Sequence, residues 1–204
     1  MVDPNRKDFA VFETAAILLY LEKHYDPEHL FSWPSTDDKA DDYRSEVLQW
    51  MFFIHGGVAP IQGNANHFFR YAPEKVPYGI TRFQNEVKRT YGVLNSRLEG
   101  RDWLVGEGKG KYSIADANAF PWLYYYPWAM GSQDVPPNVK SYIERNWAIP
   151  AVKKGFNNPK GSSDLTDKMW APGFEEESKE MIKKAAEDAK AWIQSSNKAE
   201  AEKK

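Results

Sequence analysis

The stretch 76–98 constrains the fold of this chain more than any other part of the sequence. Its apolar side chains recur every three or four residues, which is the period of one face of an α-helix. They are Ile80, Phe83, Val87, Tyr91, Leu94 and Leu98. The charged residues Arg82, Glu86 and Arg89 fall on the other face. Burial is what stabilises such a stripe, so this helix must pack on another helix.

Helical spacing also dominates the rest of the chain from residue 14 onwards. The predicted helices cover 14–25, 38–71, 76–98, 113–128, 137–147, 150–156 and 175–196. Before them, residues 8–12 (DFAVF) alternate in polarity and favour a strand, but no second convincing strand is present to pair with it. The pattern therefore predicts an all-α fold preceded by the remnant of a sheet, which is one strand and one helix.

Glycines and prolines predict interruptions in two of these helices. Gly56, Gly57 and Pro60 predict a kink or break in the helix that starts near residue 38. Pro121 and Pro127 predict interruptions in the aromatic helix that follows the glycine-rich connector 100–111.

Composition excludes several classes of function. The formal net charge of -2 gives no field that would hold a nucleic acid or an anionic membrane. The chain has no cysteine, which excludes a disulfide framework, and its four histidines show no metal-ligand spacing, so no metal is implied. There is no secretory signal and no run of about 18 apolar residues. These features predict a cytoplasmic protein with small partners.

The sequence SIAD, Ser113 to Asp116, has the spacing of a helix-start box. Ser113 can accept from the amide three residues on, and the Asp116 carboxylate can reach back to the Ser113 amide. A carboxylate is also favourable at the positive end of a helix dipole. A catalytic role for Asp116 is an alternative, but the spacing favours capping.

Glu13 and Thr14 stand where the strand meets the first helix. Free amides at a helix N-terminus attract a carboxylate, and an adjacent Glu can hold an ammonium group. The pair therefore suits the α-amino-acid end of a small ligand. The alternative is an ordinary N-cap, for which Thr14 is competent, beside an exposed acid.

Aromatic residues suggest a second, apolar site. Trp50, Phe53 and Tyr124 belong to a larger aromatic set and could line a pocket for a hydrophobic co-substrate. The alternative is that they form core, which is commoner for aromatics at helical spacing.

Five blocks of the sequence resemble glutathione transferases, and they occur in unbroken order over about residues 2–160. The blocks are FETAAILLYLEKHYD (12–26), QWMFFIHGGVAPIQGNANHFFRY (49–71), RFQNEVKRTYGVLNSRLEGRDWLVG (82–106), YSIADANAFPW (112–122) and IPAVKKGF (149–156). More narrowly, they resemble the fungal class related to the yeast nitrogen-catabolite-repression prion protein and the bacterial disulfide-bond reductases of that class.

The resemblance implies a domain organisation and a ligand. Residues 1–26 correspond to the end of a thioredoxin-like glutathione-binding domain, 38–160 to the all-helical C-terminal domain, and 161–204 to a loop plus an amphipathic terminal helix. The family's Glu-Ser pair, which grips the glutamyl end of glutathione, matches Glu13 and Thr14, where Thr keeps the hydroxyl and adds a methyl. No cofactor is implied, and glutathione is the expected substrate or ligand.

The resemblance also implies what is missing. The chain starts where the family's third strand is expected, so we expect it to lack the segment that activates the glutathione sulfur. A gene model begun at an internal Met, a natural truncation and an expression choice would look the same. The first hypothesis is a protein of the glutathione transferase family, which would be a transferase if it is active. Its conjugation or disulfide-reduction activity is expected to be weakened or lost, and no catalytic residue is predicted in this chain. The second is a non-catalytic interaction module, most simply a homodimer, and an unrelated helical bundle is the third.

Overall fold

The computed structural model describes residues 1–156, 158 and 168–201, with side chains up to residue 195. Almost all of the secondary structure is helical, as the sequence predicts. The chain divides into two compact units. Unit 1 comprises Met1–Pro60, Thr90–Tyr124 and Pro136–Asn146, and unit 2 comprises Ile61–Arg89, Tyr125–Val135 and Trp147–Lys204.

A short β-hairpin opens unit 1. It pairs β1 (Val2–Asp3) with β2 (Phe9–Ala10) in antiparallel orientation. The chain reverses at Lys7 and Asp8, whose φ angles of 59° and 55° lie in the left-handed region. The prediction of one unpaired strand over 8–12 is therefore wrong. A two-residue partner strand is too short to show the alternation by which strands are found in a sequence.

Helix α1 (Thr14–Tyr25) begins and ends at the predicted residues. The hairpin is fixed to it by the buried carboxylate of Asp3, which accepts hydrogen bonds from the hydroxyls of Tyr20 at 2.8 Å and Tyr25 at 2.7 Å. The hydrogen bond from Tyr25 is the largest cause of a lowered pKa of Asp3. The first strands and the first helix thus form one local assembly.

The second predicted helix contains two π-helical turns instead of a break. Helix α2 (Ala40–Phe53) leads into the turn Ile54–Val58, and α3 (Ala59–Asn66) leads into the turn His67–Tyr71. The glycine pair lies inside the first turn, whose two end residues are fully buried. A π turn widens the helix but keeps its backbone hydrogen bonds, so burial is possible without orphaned amides. Of the two predicted outcomes, a kink or a break, the break is therefore wrong and the kink stays a prediction.

The remaining described helices follow the predicted order. They are α4 (Pro77–Arg97), α5 (Ile114–Tyr124), α6 (Tyr126–Met130), α7 (Pro137–Trp147), α8 (Pro150–Phe156), α9 (Phe174–Glu177) and α10 (Lys179–Ala201). The apolar stripe of α4 is fully buried from Val87 onwards. Of the predicted loop and terminal helix, residues 157, 159–167 and 202–204 lie outside the described residues.

Pro121 lies inside α5, so the predicted interruption at that position is wrong. An interior proline removes one helical hydrogen bond and costs about 3 kcal/mol. Eight residues of α5 are buried, among them Ile114, Phe120 and Leu123. Because each large apolar side chain contributes about 1.5 to 3 kcal/mol on burial, packing outweighs the proline. The interruption instead falls at Tyr125, between α5 and α6.

Each unit has its own packing centre. In unit 1, α5 contacts α1, α2 and the turn Ile54–Val58. In unit 2, α6 and α10 both contact the turn His67–Tyr71. No helix among the described residues combines the length and the apolar character needed to cross a membrane.

Candidate functional site

The chain bends sharply at Glu13, between the hairpin and α1. Glu13 is the N-cap of α1, with φ 70° and ψ 123°, and its side chain makes no capping hydrogen bond. The predicted cap, Thr14, is instead the first residue of the helix. A non-glycine residue at positive φ stores about 1 to 3 kcal/mol of strain, and such residues cluster at functional sites. The conformation therefore points to a use for the Glu13 side chain.

The start of α1 presents free donors. The first helical bond runs from the Ile17 amide to the Glu13 carbonyl at 2.9 Å. The amides of Thr14, Ala15 and Ala16 have no acceptor in the described part of the chain. These N–H groups and the helix dipole make this end of α1 attractive to an anion.

The Glu13 carboxylate complements those donors. It is exposed and has no hydrogen bond or ion pair with any described residue. A ligand with adjacent carboxylate and ammonium groups can place the first on the amides of α1 and the second on Glu13. Glu13 and Thr14 thus lie side by side at the free end of α1, and their predicted role in binding a ligand stays a prediction.

A cleft of about 330 Å³ opens beside Thr14, between α1 and α5. Its lining is Thr14, Ile17, Leu18, Ala117, Asn118, Pro121 and Trp122. Its volume is at the lower end of the range for small-molecule sites, which is about 300 to 1,000 Å³. A ligand held at the start of α1 can therefore extend into a largely apolar space.

Asn118 is the buried polar residue of this cleft. Its side-chain oxygen lies 2.8 Å from Nε2 of His55, which donates when that nitrogen carries the proton. The Asn118 amide nitrogen is buried and has no partner within the described structure. His55 thus fixes the orientation of the Asn118 side chain.

Asp116 confirms the helix-start box and extends it. Its carboxylate accepts from the Ser113 amide at 2.8 Å and, beyond the box, from the Leu104 amide and the Tyr142 hydroxyl, both at 3.0 Å. The predicted bond from the Asp116 amide to the Ser113 hydroxyl is not formed. The Asp116 amide donates to the Ser113 carbonyl at 3.1 Å, and the hydroxyl accepts from the Ala115 amide at 3.3 Å. Burial raises the pKa of Asp116 to about 6. A fully buried carboxylate with these partners is structural.

The predicted co-substrate residues do not line the cleft. Trp50 and Phe53 lie on α2 with ring centroids 5.6 Å apart, and the ring of Tyr124 is buried against Phe120 at 5.5 Å. The pocket that they were expected to form stays a prediction. In the part of the chain that the structure describes, no group of three or more His, Cys, Asp or Glu could hold a metal ion.

Sequence reasoning missed the α5 side of the cleft. Asn118 carries no local signal, because its partner His55 is 63 residues away in the sequence. Ile17 and Leu18 have the helical spacing of core residues, so the sequence gives no sign that they line a cleft. Only the packing of α1 on α5 reveals that these residues border the space next to Thr14.

Comparison with known proteins identifies close relatives. Residues 77–145 match the family described as Glutathione S-transferase, C-terminal domain. The chain is 36% identical over 167 residues to the glutathione S-transferase-like protein tpcF of Aspergillus fumigatus, which covers 76% of this chain and 71% of that protein. It is 39% identical over 143 residues to the disulfide-bond oxidoreductase YfcG of Escherichia coli, covering 70% of this chain and 61% of that protein.

The chain is also similar to a structure that was solved with a bound ligand. The glutathione transferase URE2P8 from Phanerochaete chrysosporium, solved with oxidized glutathione, matches with a TM-score of 0.68 and 28% identity. The match covers 76% of this chain and 68% of that chain.

Proposed function

Because this chain belongs to the glutathione transferase family, with Ure2-like fungal transferases among its relatives, we propose that it binds glutathione through Glu13 and Thr14. The observation that carries the proposal is the free N-terminus of α1 next to a Glu held at positive φ. The γ-glutamyl end of glutathione has the carboxylate and the ammonium group that this arrangement matches.

The proposed pose assigns one role to each group. The glutamyl carboxylate accepts from the amides that begin α1 and from the Thr14 hydroxyl, and the ammonium group pairs with the Glu13 carboxylate. The rest of the tripeptide then extends towards the cleft between α1 and α5. Glutathione is abundant in the cytoplasm, which is the compartment we propose for this function.

The proposed chemistry is attack by the glutathione thiolate. On an aryl chloride, the sulfur bonds to the ring carbon, chloride leaves and the thiol proton passes to solvent. On a mixed disulfide, the thiolate attacks one sulfur and the other leaves as a thiolate. The chain has no cysteine, so glutathione supplies the reactive sulfur. The E. coli relative is named a disulfide-bond oxidoreductase, which supports the second reaction class.

We expect these 204 residues to react slowly by themselves. A thiol with a pKa of about 8.5 is mostly protonated at neutral pH unless donors stabilise its thiolate. Glu13 and Thr14 serve the glutamyl end, not the sulfur. Two groups of contacts also offset little of the entropy of association, so glutathione binding should be weak.

The domain assignment belongs to the same proposal. Residues 1–26 would complete a thioredoxin-like domain, 38–160 would form the helical transferase domain, and 161–204 would add a terminal extension. Trp50, Phe53 and Tyr124 remain the proposed lining of a hydrophobic co-substrate pocket.

The test of the glutathione site is titration calorimetry on the whole chain. Glu13→Gln and Thr14→Val should each weaken glutathione binding, Glu13→Gln by about tenfold because it removes a charge-assisted bond. Glu99→Gln, an exposed acid elsewhere in unit 1, is the matched control and should change nothing. Equal affinity in all variants would exclude the proposed site.

The rate with 1-chloro-2,4-dinitrobenzene tests the chemistry separately. Turnover at the level of an ordinary transferase would contradict weak catalysis, whatever the binding result.

A non-catalytic interaction module is the second candidate function, with a homodimer as its simplest form. It is favoured by exposed apolar side chains around the hairpin, since Phe12 is 82% exposed, Val2 59% and Phe9 56%. Isolated apolar residues are common on surfaces, but a cluster is typical of an interface. Light scattering decides: a monomer at all concentrations would exclude the homodimer.

A further inference from the structure

A segment of unit 2 lies against the turn His67–Tyr71 and the loop that follows α6. It comprises residues 168–178, and we call it the strap. Its buried side chains are those of Met169, Phe174 and Ser178, and its other residues are exposed or half-buried. Between the first two of these the backbone forms turns and not a helix. The strap therefore contacts the rest of unit 2 as an irregular peptide.

Gln133 holds the strap by its backbone. The side-chain amide nitrogen of Gln133 donates to the carbonyl of Met169 at 3.0 Å and to the carbonyl of Ala171 at 2.6 Å. Both acceptors belong to the main chain, which every residue type supplies. A peptide of different sequence can therefore accept the same two hydrogen bonds.

Arg70 receives the one strap carboxylate that is paired with a cation. Its two terminal nitrogens bind Glu175 at 3.0 and 2.5 Å, and its side chain is only 7% exposed. The guanidinium is also held from other directions. Its Nε donates to the Trp128 carbonyl at 3.0 Å, and it lies 4.4 Å from the ring centroid of Phe69 and 4.7 Å from that of Trp128. None of these other contacts comes from the strap, so Arg70 is oriented to receive a carboxylate before the strap arrives.

The strap does not fill the space in which it lies. A cleft of about 210 Å³ remains between the strap and the end of α6. Its lining is Pro127, Gly131, Ser132 and Gln133 on one side and Gly173, Phe174, Glu175 and Glu176 on the other. Atoms that face an unfilled space lose dispersion contacts. An occupant with larger side chains than the strap's can therefore pack better here.

We infer that Arg70, Gln133 and the adjoining cleft, which together we call the strap groove, dock an acidic segment of a partner protein. The strap occupies the same groove in cis, so it shows what such a segment requires, which is an aromatic residue followed by a glutamate, as in Phe174 and Glu175. The cleft takes the aromatic ring, Arg70 takes the carboxylate and Gln133 takes the backbone. A segment without a carboxylate is excluded, because a buried guanidinium without an anion is strongly unfavourable.

The strap is thus an autoinhibitory contact that sets how tightly a partner must bind. A partner reaches the groove only in molecules whose strap has left it, so the apparent dissociation constant rises as the open fraction falls. Weakening the strap should therefore strengthen binding of the partner segment. The groove and the Thr14 cleft share no residue, so this inference does not depend on the proposed glutathione site.

Fluorescence anisotropy with a labelled peptide, MWAPGFEEES, tests the inference on the full chain. This probe has the sequence of residues 169–178. It should bind the double variant Phe174→Ala with Glu175→Ala at least about tenfold more tightly than the wild type, because that strap competes less well. A peptide that itself carries Phe174→Ala and Glu175→Gln should not bind. Equal affinity for the two proteins, or no binding of the probe to either at millimolar concentration, would overturn the inference.

Further changes in the double variant locate the binding. Adding Arg70→Gln should abolish binding of the probe, whereas adding Arg82→Gln, at an exposed arginine on α4 of unit 2, should keep it. Because Arg70 is buried, its loss might unfold the chain, and Gln133→Ala then serves instead. Removal of its two bonds to the peptide backbone should weaken binding about tenfold, and unchanged affinity would contradict the proposed groove.

Light scattering separates a second occupant of the groove. The wild type should show no dimer that depends on Arg70. A concentration-dependent dimer that Arg70→Gln dissociates would show that the strap of a second copy fills the groove, and this would refute the inference of a partner protein.

Discussion

The two units bury charge in different ways. In unit 1, the Asp116 carboxylate is fully buried and receives only neutral donors, from Ser113, Leu104 and Tyr142. It forms no ion pair with any described cation, and burial raises its pKa to about 6. The donors lie within 26 residues of it along the chain. This buried acid is therefore solvated by local backbone and side chains.

In unit 2, a buried cation depends on a distant partner. The Arg70 side chain is only 7% exposed and binds Glu175 through both terminal nitrogens, at 3.0 and 2.5 Å. Its Nε donates to the Trp128 carbonyl at 3.0 Å, and its guanidinium lies 4.4 Å from the Phe69 ring centroid. Glu175 is 105 residues further along the chain. This pair therefore ties the described part of the C-terminal segment to the turn His67–Tyr71.

The comparison shows that a buried carboxylate and a buried guanidinium are sensitive to different changes. Several neutral donors hold the Asp116 carboxylate, so the change that disturbs its environment most is removal of the acid itself. The guanidinium of Arg70 cannot lose its charge, so it fails when its one carboxylate is lost.

The largest expected effect is that of Asp116→Ala. Removing the carboxylate takes an acceptor from four buried donors, which are the Ser113 amide and hydroxyl, the Leu104 amide and the Tyr142 hydroxyl. This should lower the free energy of unfolding by about 3 to 5 kcal/mol. Urea denaturation measures the change. Glu144→Ala, an exposed acid on α7, is the control and should leave the midpoint in place. A loss no larger than the control's would mean that water replaces the carboxylate.

The next effect is that of Glu175→Ala. It leaves the Arg70 charge buried and unpaired, which should favour local opening of the segment 168–195 by about 2 kcal/mol. Hydrogen exchange of those amides measures it. The neighbouring Glu176→Ala removes an exposed acid of the same helix and should not accelerate exchange. Equal exchange in the two variants would show that the pair does not hold the segment.

The pH dependence of unit 1 gives a smaller effect. Because the pKa of Asp116 is raised to about 6 in the folded state from 3.8, the folded chain binds the extra proton. Stability should therefore fall as pH rises through this window, by at most about 3 kcal/mol. The advantage of the wild type over Asp116→Asn, measured by denaturation between pH 4 and 7, should shrink with rising pH. An advantage that grows would refute the sign.

The smallest effect is expected at the surface pair on α4 of Arg89, which is exposed, and Glu86, which is half-buried. Their atoms are 2.7 Å apart, and Arg89 is the main cause of the lowered pKa of Glu86. Solvent screens such pairs, so Glu86→Gln should not shift the denaturation midpoint measurably. A clear shift would show that contact distance alone, and not burial, sets the contribution of charge pairs in this protein.

The sequence predicted what depends on nearby residues. The bounds of α1 follow from helical spacing, and the bond from Asp116 back to the Ser113 amide follows from capping; both depend on residues only a few positions apart. The π turn at Ile54–Val58 and the helical Pro121 could not be predicted, because there tertiary burial overrides the local preference of glycine and proline.

The same division applies to the candidate site. That Glu13 and Thr14 lie at a helix start could be predicted, because a helix start has a sequence signature. The Asn118 side of the cleft was not, since its contact with His55 exists only after α5 packs on the turn Ile54–Val58. The positive φ of Glu13 also has no signature, as the sequence there carries no glycine.

At Glu13, the strained backbone conformation lowers the stability of the fold, whereas the side chain is the one that we propose binds a ligand. A glycine at this position would adopt φ 70° without strain. The relief, about 1 to 3 kcal/mol, exceeds the entropy that glycine adds to the unfolded chain, about 0.4 to 1 kcal/mol. A Glu13→Gly chain should consequently melt at a higher temperature, but it would lack the carboxylate that we propose pairs with an ammonium group, so thermal stability and ligand selectivity would change in opposite directions.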